Sequence, residues 1–170
     1  MAISQSFIAE LEHEAATTRK CLERVPQDKL GWRPHEKSMS LGELAGHIAD
    51  MTGWATVTMN MDVFDMHPPG GPTWQSPKVT NVADLLSYFD KGVAEAKAAM
   101  LAADDAKWMA NWSLANAGTT LMTMPRVAVM RSFVMNHVIH HRGQLSVYLR
   151  QLNIPVPSIY GPSADEGQMG

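Results

Sequence analysis

Residues 123–152, TMPRVAVMRSFVMNHVIHHRGQLSVYLRQL, decide the fold. Met130, Val134, His137, His141, Gln144 and Tyr148 follow one another in steps of three and four, the spacing of a single helical face. Pro125 suits a first turn, where its missing N–H costs nothing. Pro155 and Pro157 end the segment near Leu152. The predicted helix therefore runs from near Thr123 to about Leu152, with two histidines on its inward seam one turn apart.

Working outward, three more helices are expected. Residues 3–24 space Ile3, Phe7, Leu11, Ala15, Thr18 and Leu22 by three or four, with Glu10, Glu12, Glu14, Arg19 and Lys20 mostly on the other faces. The stretch 26–39, PQDKLGWRPHEKSM, is a loop by its prolines, glycine and charges. Ser40-Leu41-Gly42-Glu43 has the form of a capping box. It opens a helix to about Phe64, with Leu41, Leu44, Ile48, Met51, Ala55 and Met59 inward. Gly42, Gly46 and Gly53 each weaken that helix by ~1 kcal/mol relative to Ala, so packing or a close neighbour must hold it. Four prolines and two glycines in 66–80, MHPPGGPTWQSPKVT, exclude helix and predict a long crossover. Asn81 then caps a helix striped by Val82, Leu85, Leu86, Phe89, Val93, Ala96 and Met100, closed by Asp104-Asp105. Residues 106–122 read as a small hairpin or an irregular excursion around Asn116-Ala117-Gly118. The fold class expected is all-α: one domain over residues 1–170, a four-helix bundle with one long crossover, ending in a polar tail over 158–170.

Composition narrows the function. The chain has 170 residues, 45% of them apolar, and a formal net charge of −3. Such a length buries roughly 70% of the unfolded surface, enough for a core without staples. A slightly acidic chain with no basic run does not suit nucleic-acid phosphate as a partner. No apolar run reaches 18 residues and no basic start precedes an apolar block, so neither membrane span nor secretion signal is expected, and the location expected is cytoplasmic. Cys21 is alone, which excludes an internal disulfide and a cysteine zinc cage; it reads as a buried structural thiol.

Seven histidines carry the chemistry. His137 and His141 share one face, and His47, three residues after Leu44 and four before Met51, edges the apolar stripe of the second helix. Three neutral imidazoles from two facing helices can hold a divalent ion and leave coordination positions open. The same pattern also arises from satisfied core histidines. His140 lies about 100° round the helix and is expected outside the ligand set. A di-iron carboxylate site needs two Glu-x-x-His pairs, and only Glu10–His13 has that form; His-Glu-x-x-His and phosphate-cradling glycine loops are absent. Asp50, one turn beyond His47, is a candidate to orient that ring. Gln144 and Tyr148 are candidates for hydrogen bonds inside the bundle. Arg142 can reach an anion or serve structure, and the five tryptophans can line a pocket mouth or cover core.

The stretches Asn136-His137-Val138-Ile139-His140-His141-Arg142-Gly143-Gln144-Leu145, Tyr148-Leu149-Arg150, Val156-Pro157 and Tyr160-Gly161-Pro162-Ser163-Ala164-Asp165-Glu166 resemble the DinB family. So do Ser40-Leu41-Gly42-Glu43-Leu44-Ala45-Gly46-His47-Ile48-Ala49-Asp50 and the preceding Trp32-Arg33-Pro34. The resemblance spans nearly the whole chain. It implies a four-helix bundle holding a divalent metal on His47, His137 and His141, and frequent homodimers; imidazole ligands suit Zn or Ni foremost, and also Fe. It also implies relatives that act as thiol-dependent S-transferases or isomerases or carry the label of metal-dependent hydrolases. The function expected is a metal-dependent enzyme activating water or a low-molecular-weight thiol cofactor against a small electrophilic substrate. The alternative is a non-catalytic metal-binding or dimeric sensor bundle. No catalytic acid or base stands out among the residues.

Overall fold

The computed structural model describes residues 2–167, so the last three residues of the expected tail lie outside it. Helix α1 (Ile3–Glu23) buries Phe7, Leu11, Ala15, Thr18 and Leu22 of the expected stripe, with Ile3 half-buried at its start. Helix α2 (Leu41–Asn60) begins at the capping box: the Ser40 hydroxyl accepts from the Glu43 N–H, and the Glu43 carboxylate accepts from the Ser40 N–H at 2.7 Å. Leu41, Leu44, Ile48, Met51, Ala55 and Met59 are all buried. Helix α3 (Val82–Ala102) is capped by the Asn81 side chain, which accepts from the Asp84 N–H at 2.7 Å. A short helix α4 (Asp105–Met109), capped by Asp104, follows it.

The chain is not purely helical as expected. Strands β1 (Val63–Asp65), β2 (Asn111–Asn116) and β3 (Thr119–Pro125) form one sheet in that order, β1 parallel to β2 and β2 antiparallel to β3. The hairpin reading of 106–122 is the correct one. Ala117 and Gly118 both take positive φ, 50° and 77°, the signature of a tight two-residue hairpin turn. The Asp65 carboxylate accepts from both of their N–H groups, at 3.0 and 2.7 Å, and holds a non-glycine residue in that conformation.

The sheet also corrects two helix boundaries. Helix α2 stops at Asn60, not Phe64, because Phe64 pairs with Leu114 in β1. Its last carbonyls go to Arg126, a side chain 1% exposed, which donates to Thr58 and Met61 oxygens at 2.9 Å each. The last helical rod starts at Arg126 rather than Thr123, since Thr123, Met124 and Pro125 belong to β3.

That rod is α5 (Arg126–Val129), a π-helical stretch (Met130–Met135) and α6 (Asn136–Gln151). A π turn closes with i→i+5 bonds and takes in one extra residue. The inward seam moves by that residue: Val138, Arg142, Leu145 and Leu149 are buried, while Gln144 is exposed and Tyr148 half-buried. His141 stays buried, while His137, half-buried, comes to lie on the flank of the seam.

Helix α2 packs against α3 and α6, and α1 packs against α3 and α6. The α2–α3 contact is close because Gly92 is bare: a Cβ there would lie 2.1 Å from Thr52 Oγ1. Gly92→Ala must therefore turn the Thr52 hydroxyl off the Ala49 carbonyl it donates to, or push α3 off α2. The expected net loss is about 1–2 kcal/mol despite the better helix propensity of Ala, checked by urea unfolding. The crossover 66–80 lies across α2 at Gly46, where a Cβ would meet the Pro77 carbonyl oxygen at 2.8 Å. The close neighbour expected is thus the crossover for Gly46 and Leu30 of the 26–39 loop for Gly42, whereas nothing lies within 4 Å of a Cβ at Gly53.

Candidate metal centre

Helix α2 supplies His47 and α6 supplies His137 and His141. One ring nitrogen from each lies within 4.8 Å of the other two. Ring centroids are 4.5 Å apart for His47 and His141, 4.6 Å for His137 and His141, and 5.1 Å for His47 and His137. The Nε2 atoms of His47 and His137 face each other at 3.4 Å. Two lone pairs repel at that distance unless a proton or a cation lies between them.

Burial favours the neutral, ligating form of all three. It pulls His47 down to about 4, reinforced by His141 and His137. It also holds His137 and His141 below the ordinary histidine range. The Nδ1 of His141 lies 2.7 Å from Gln144 Oε1. An amide oxygen only accepts, so the ring must carry its proton on Nδ1 and leave the Nε2 lone pair free. Gln144 thus orients a ligand from the protein side, as partners of metal-binding histidines do.

The remaining histidines stay out. His13, His35 and His140 are exposed, and exposed His67 bonds to Asn116 at 2.6 Å. Asp50 does not turn to His47; it accepts a hydrogen bond from the Tyr88 hydroxyl at 2.8 Å. Tyr148 donates to the Met39 carbonyl and packs edge-on against Trp32, so it fastens the 26–39 loop rather than bonding inside the helices. Trp108 and Trp112 are buried core, while Trp54 and Trp74 line a cavity. Cys21 is buried, which pushes its thiol up to about 11 and leaves it unreactive.

Beside His47 lies a cavity of about 610 Å³, walled by Leu30, Met39, Glu43, Lys78 and Val79 among others. The 26–39 loop and the crossover form its sides. The residue spacing of α2 gave no signal for this wall, because it is built by irregular segments outside the helix, the loop that precedes it and the crossover that follows it. Among the described residues, no helix is long and apolar enough to cross a membrane.

Three comparisons bear on identity. A Bacillus subtilis (strain 168) relative, described as uncharacterized protein YrdA, is 27% identical over 161 residues, covering 94% of this chain and 89% of its own. The crystal structure of a DinB-like protein from Bacillus cereus ATCC 10987 superposes with a TM-score of 0.70 at 21% identity, over 94% of this chain and 98% of that one. A DinB-like protein from Bacillus subtilis, YjoA, gives a TM-score of 0.67 at 19% identity, over 89% and 95%. Both structures share the fold. The DinB family itself matches over residues 1–169, and on that match the chain belongs to the DinB family.

Proposed function

We propose that this chain is a divalent-metal enzyme acting on a small electrophilic substrate. The observation that carries the reading is the convergence of His47, His137 and His141, their nitrogens within 4.8 Å of one another. Structural sites close with four protein ligands, whereas this cluster, among the described residues, holds three. When bound, a divalent ion supplies Lewis acidity toward a water or a low-molecular-weight thiol.

The chain's own residues would do the rest. His47, His137 and His141 hold the ion, and Gln144 keeps His141 in the ligating tautomer. The cavity beside His47 admits the substrate; Leu30, Met39 and Val79 give it an apolar wall, and Lys78 and Glu43 line its polar edge. In this reading the four long helical rods work as a four-helix bundle, and the crossover 66–80 covers the site.

Metal content of the untagged protein tests this first. We expect about one equivalent of Zn, Ni or Fe per chain, followed by turnover of the metal-loaded protein in a thiol-transfer and hydrolase panel. Protein that neither carries nor takes up stoichiometric metal would overturn the reading. A metal-loaded protein inert across the panel would favour a binding role instead.

A further inference from the structure

A second cavity lies further along α2, away from the histidines. It holds about 190 Å³ and is lined by Asp50, Gly53, Trp54, Phe64, Trp74 and Tyr88. The rings stand edge to face: Trp54 is 5.4 Å from Phe64 at 71° and 5.6 Å from Trp74 at 80°. Two of the three come from segments outside the helices, Phe64 from β1 and Trp74 from the crossover.

Asp50 is 5% exposed. Its Oδ1 accepts from Tyr88, but its Oδ2 is buried without a hydrogen-bond partner. The Trp54 Nε1 is also buried without a partner in bonding geometry, although its N–H is near enough to pull on the carboxyl. Among the described residues no Lys or Arg acts on Asp50, and none lines the cavity. Burial pushes the Asp50 carboxyl above its ordinary range, against the pull of Tyr88 and Trp54. This is the behaviour of a buried carboxylate short of a counter-charge.

We propose that this cavity binds a methylated ammonium group carried by a small molecule, boxed by Trp54, Phe64 and Trp74 and neutralised by Asp50. Aromatic faces attract cations, and a ring-walled pocket with one carboxylate suits an ammonium that has no N–H groups to satisfy. The volume is several times the roughly 30 Å³ share of one water, so the space is larger than a single solvent molecule fills. The inference does not depend on metal binding, since none of its residues is a member of the histidine cluster.

The test uses the full chain and choline as the probe, with 3,3-dimethylbutan-1-ol as the neutral probe of the same shape. Tryptophan fluorescence and calorimetry at constant ionic strength read the binding. Choline should bind saturably, with the neutral analogue about tenfold weaker or more. Asp50→Asn should weaken choline by a similar factor. Gly53→Leu is the second variant: nothing lies within 4 Å of a Cβ at Gly53, so the side chain has room, fills the cavity and improves helix propensity. It should abolish choline binding while thermal unfolding stays intact. Absence of saturable choline binding by the parent protein up to about 100 mM would overturn the proposal. So would equal affinity for the neutral analogue, or unchanged choline affinity in folded Gly53→Leu.

Discussion

Replacing His141 with alanine is expected to drop bound divalent metal from about one equivalent per chain to under about a tenth, with helix content unchanged. The reasoning begins with the ring's position. His141 is 8% exposed, its Nδ1 bonds to Gln144, and its centroid lies within 4.6 Å of both other rings. Removing it leaves two imidazoles, and a pair cannot complete the three-nitrogen base. Alanine is the best helix former, so α6 should persist. Plasma mass spectrometry after dialysis reads the metal, and far-ultraviolet circular dichroism reads the helix. The same variant should lose the rise in melting temperature that added metal gives the parent; at a hundred times Kd that rise represents about 2.7 kcal/mol. His140→Ala is the matched control. His140 is exposed and outside the cluster, so metal should stay near one equivalent. Gln144→Ala should fall between the two, with affinity about 10- to 100-fold weaker, since it frees the His141 ring without deleting it. Full metal retention in His141→Ala would remove that residue from the ligand set.

The histidine cluster was legible because each part of it is local. The four-residue step from His137 to His141 lies wholly within α6, downstream of the π turn, and His47 follows from the apolar stripe of α2. What surrounds the cluster was not legible, for reasons that are equally physical. The π turn over Met130–Met135 shifts the seam by one residue, yet no residue type demands it, so the expected seam through Gln144 and Tyr148 came out on the flank. The end of α2 depends on Arg126, more than sixty residues away, taking the Thr58 and Met61 carbonyls. Strand β1 is three residues long and pairs with a strand fifty residues on, which local periodicity cannot report. Glu14 reads as a surface charge on α1, and becomes buried only because Arg142 comes over it.

That last pair gives the largest stability effect expected. Arg142 is 1% exposed, and its Nη1 lies 2.6 Å from the Glu14 carboxylate, itself on a side chain 9% exposed. The same guanidinium donates to the Glu14 carbonyl and to the Thr18 hydroxyl, each at 3.2 Å, and to the Tyr160 hydroxyl at 2.6 Å. Tyr160 in turn donates to Glu14 at 2.8 Å, so α1, α6 and the C-terminal segment meet at one buried charge pair. Arg142→Met keeps helix propensity and much of the side-chain volume but leaves the Glu14 carboxylate without its counter-charge, with only the neutral Tyr160 hydroxyl to donate to it. Breaking one side of a buried pair costs about 3–5 kcal/mol, because the surviving charge stays out of water. For a chain of this size that corresponds to a fall in melting temperature of roughly 6–20 °C. The double variant Glu14→Leu with Arg142→Met should recover most of the loss, since an apolar pair carries no desolvation cost. Metal content should remain near one equivalent in the folded protein, because Arg142 is not a member of the histidine cluster. Urea unfolding of the parent, single and double variants decides the matter. A single variant that loses less than about 1 kcal/mol would show that water reaches Glu14 and that this pair does not tie the three segments together.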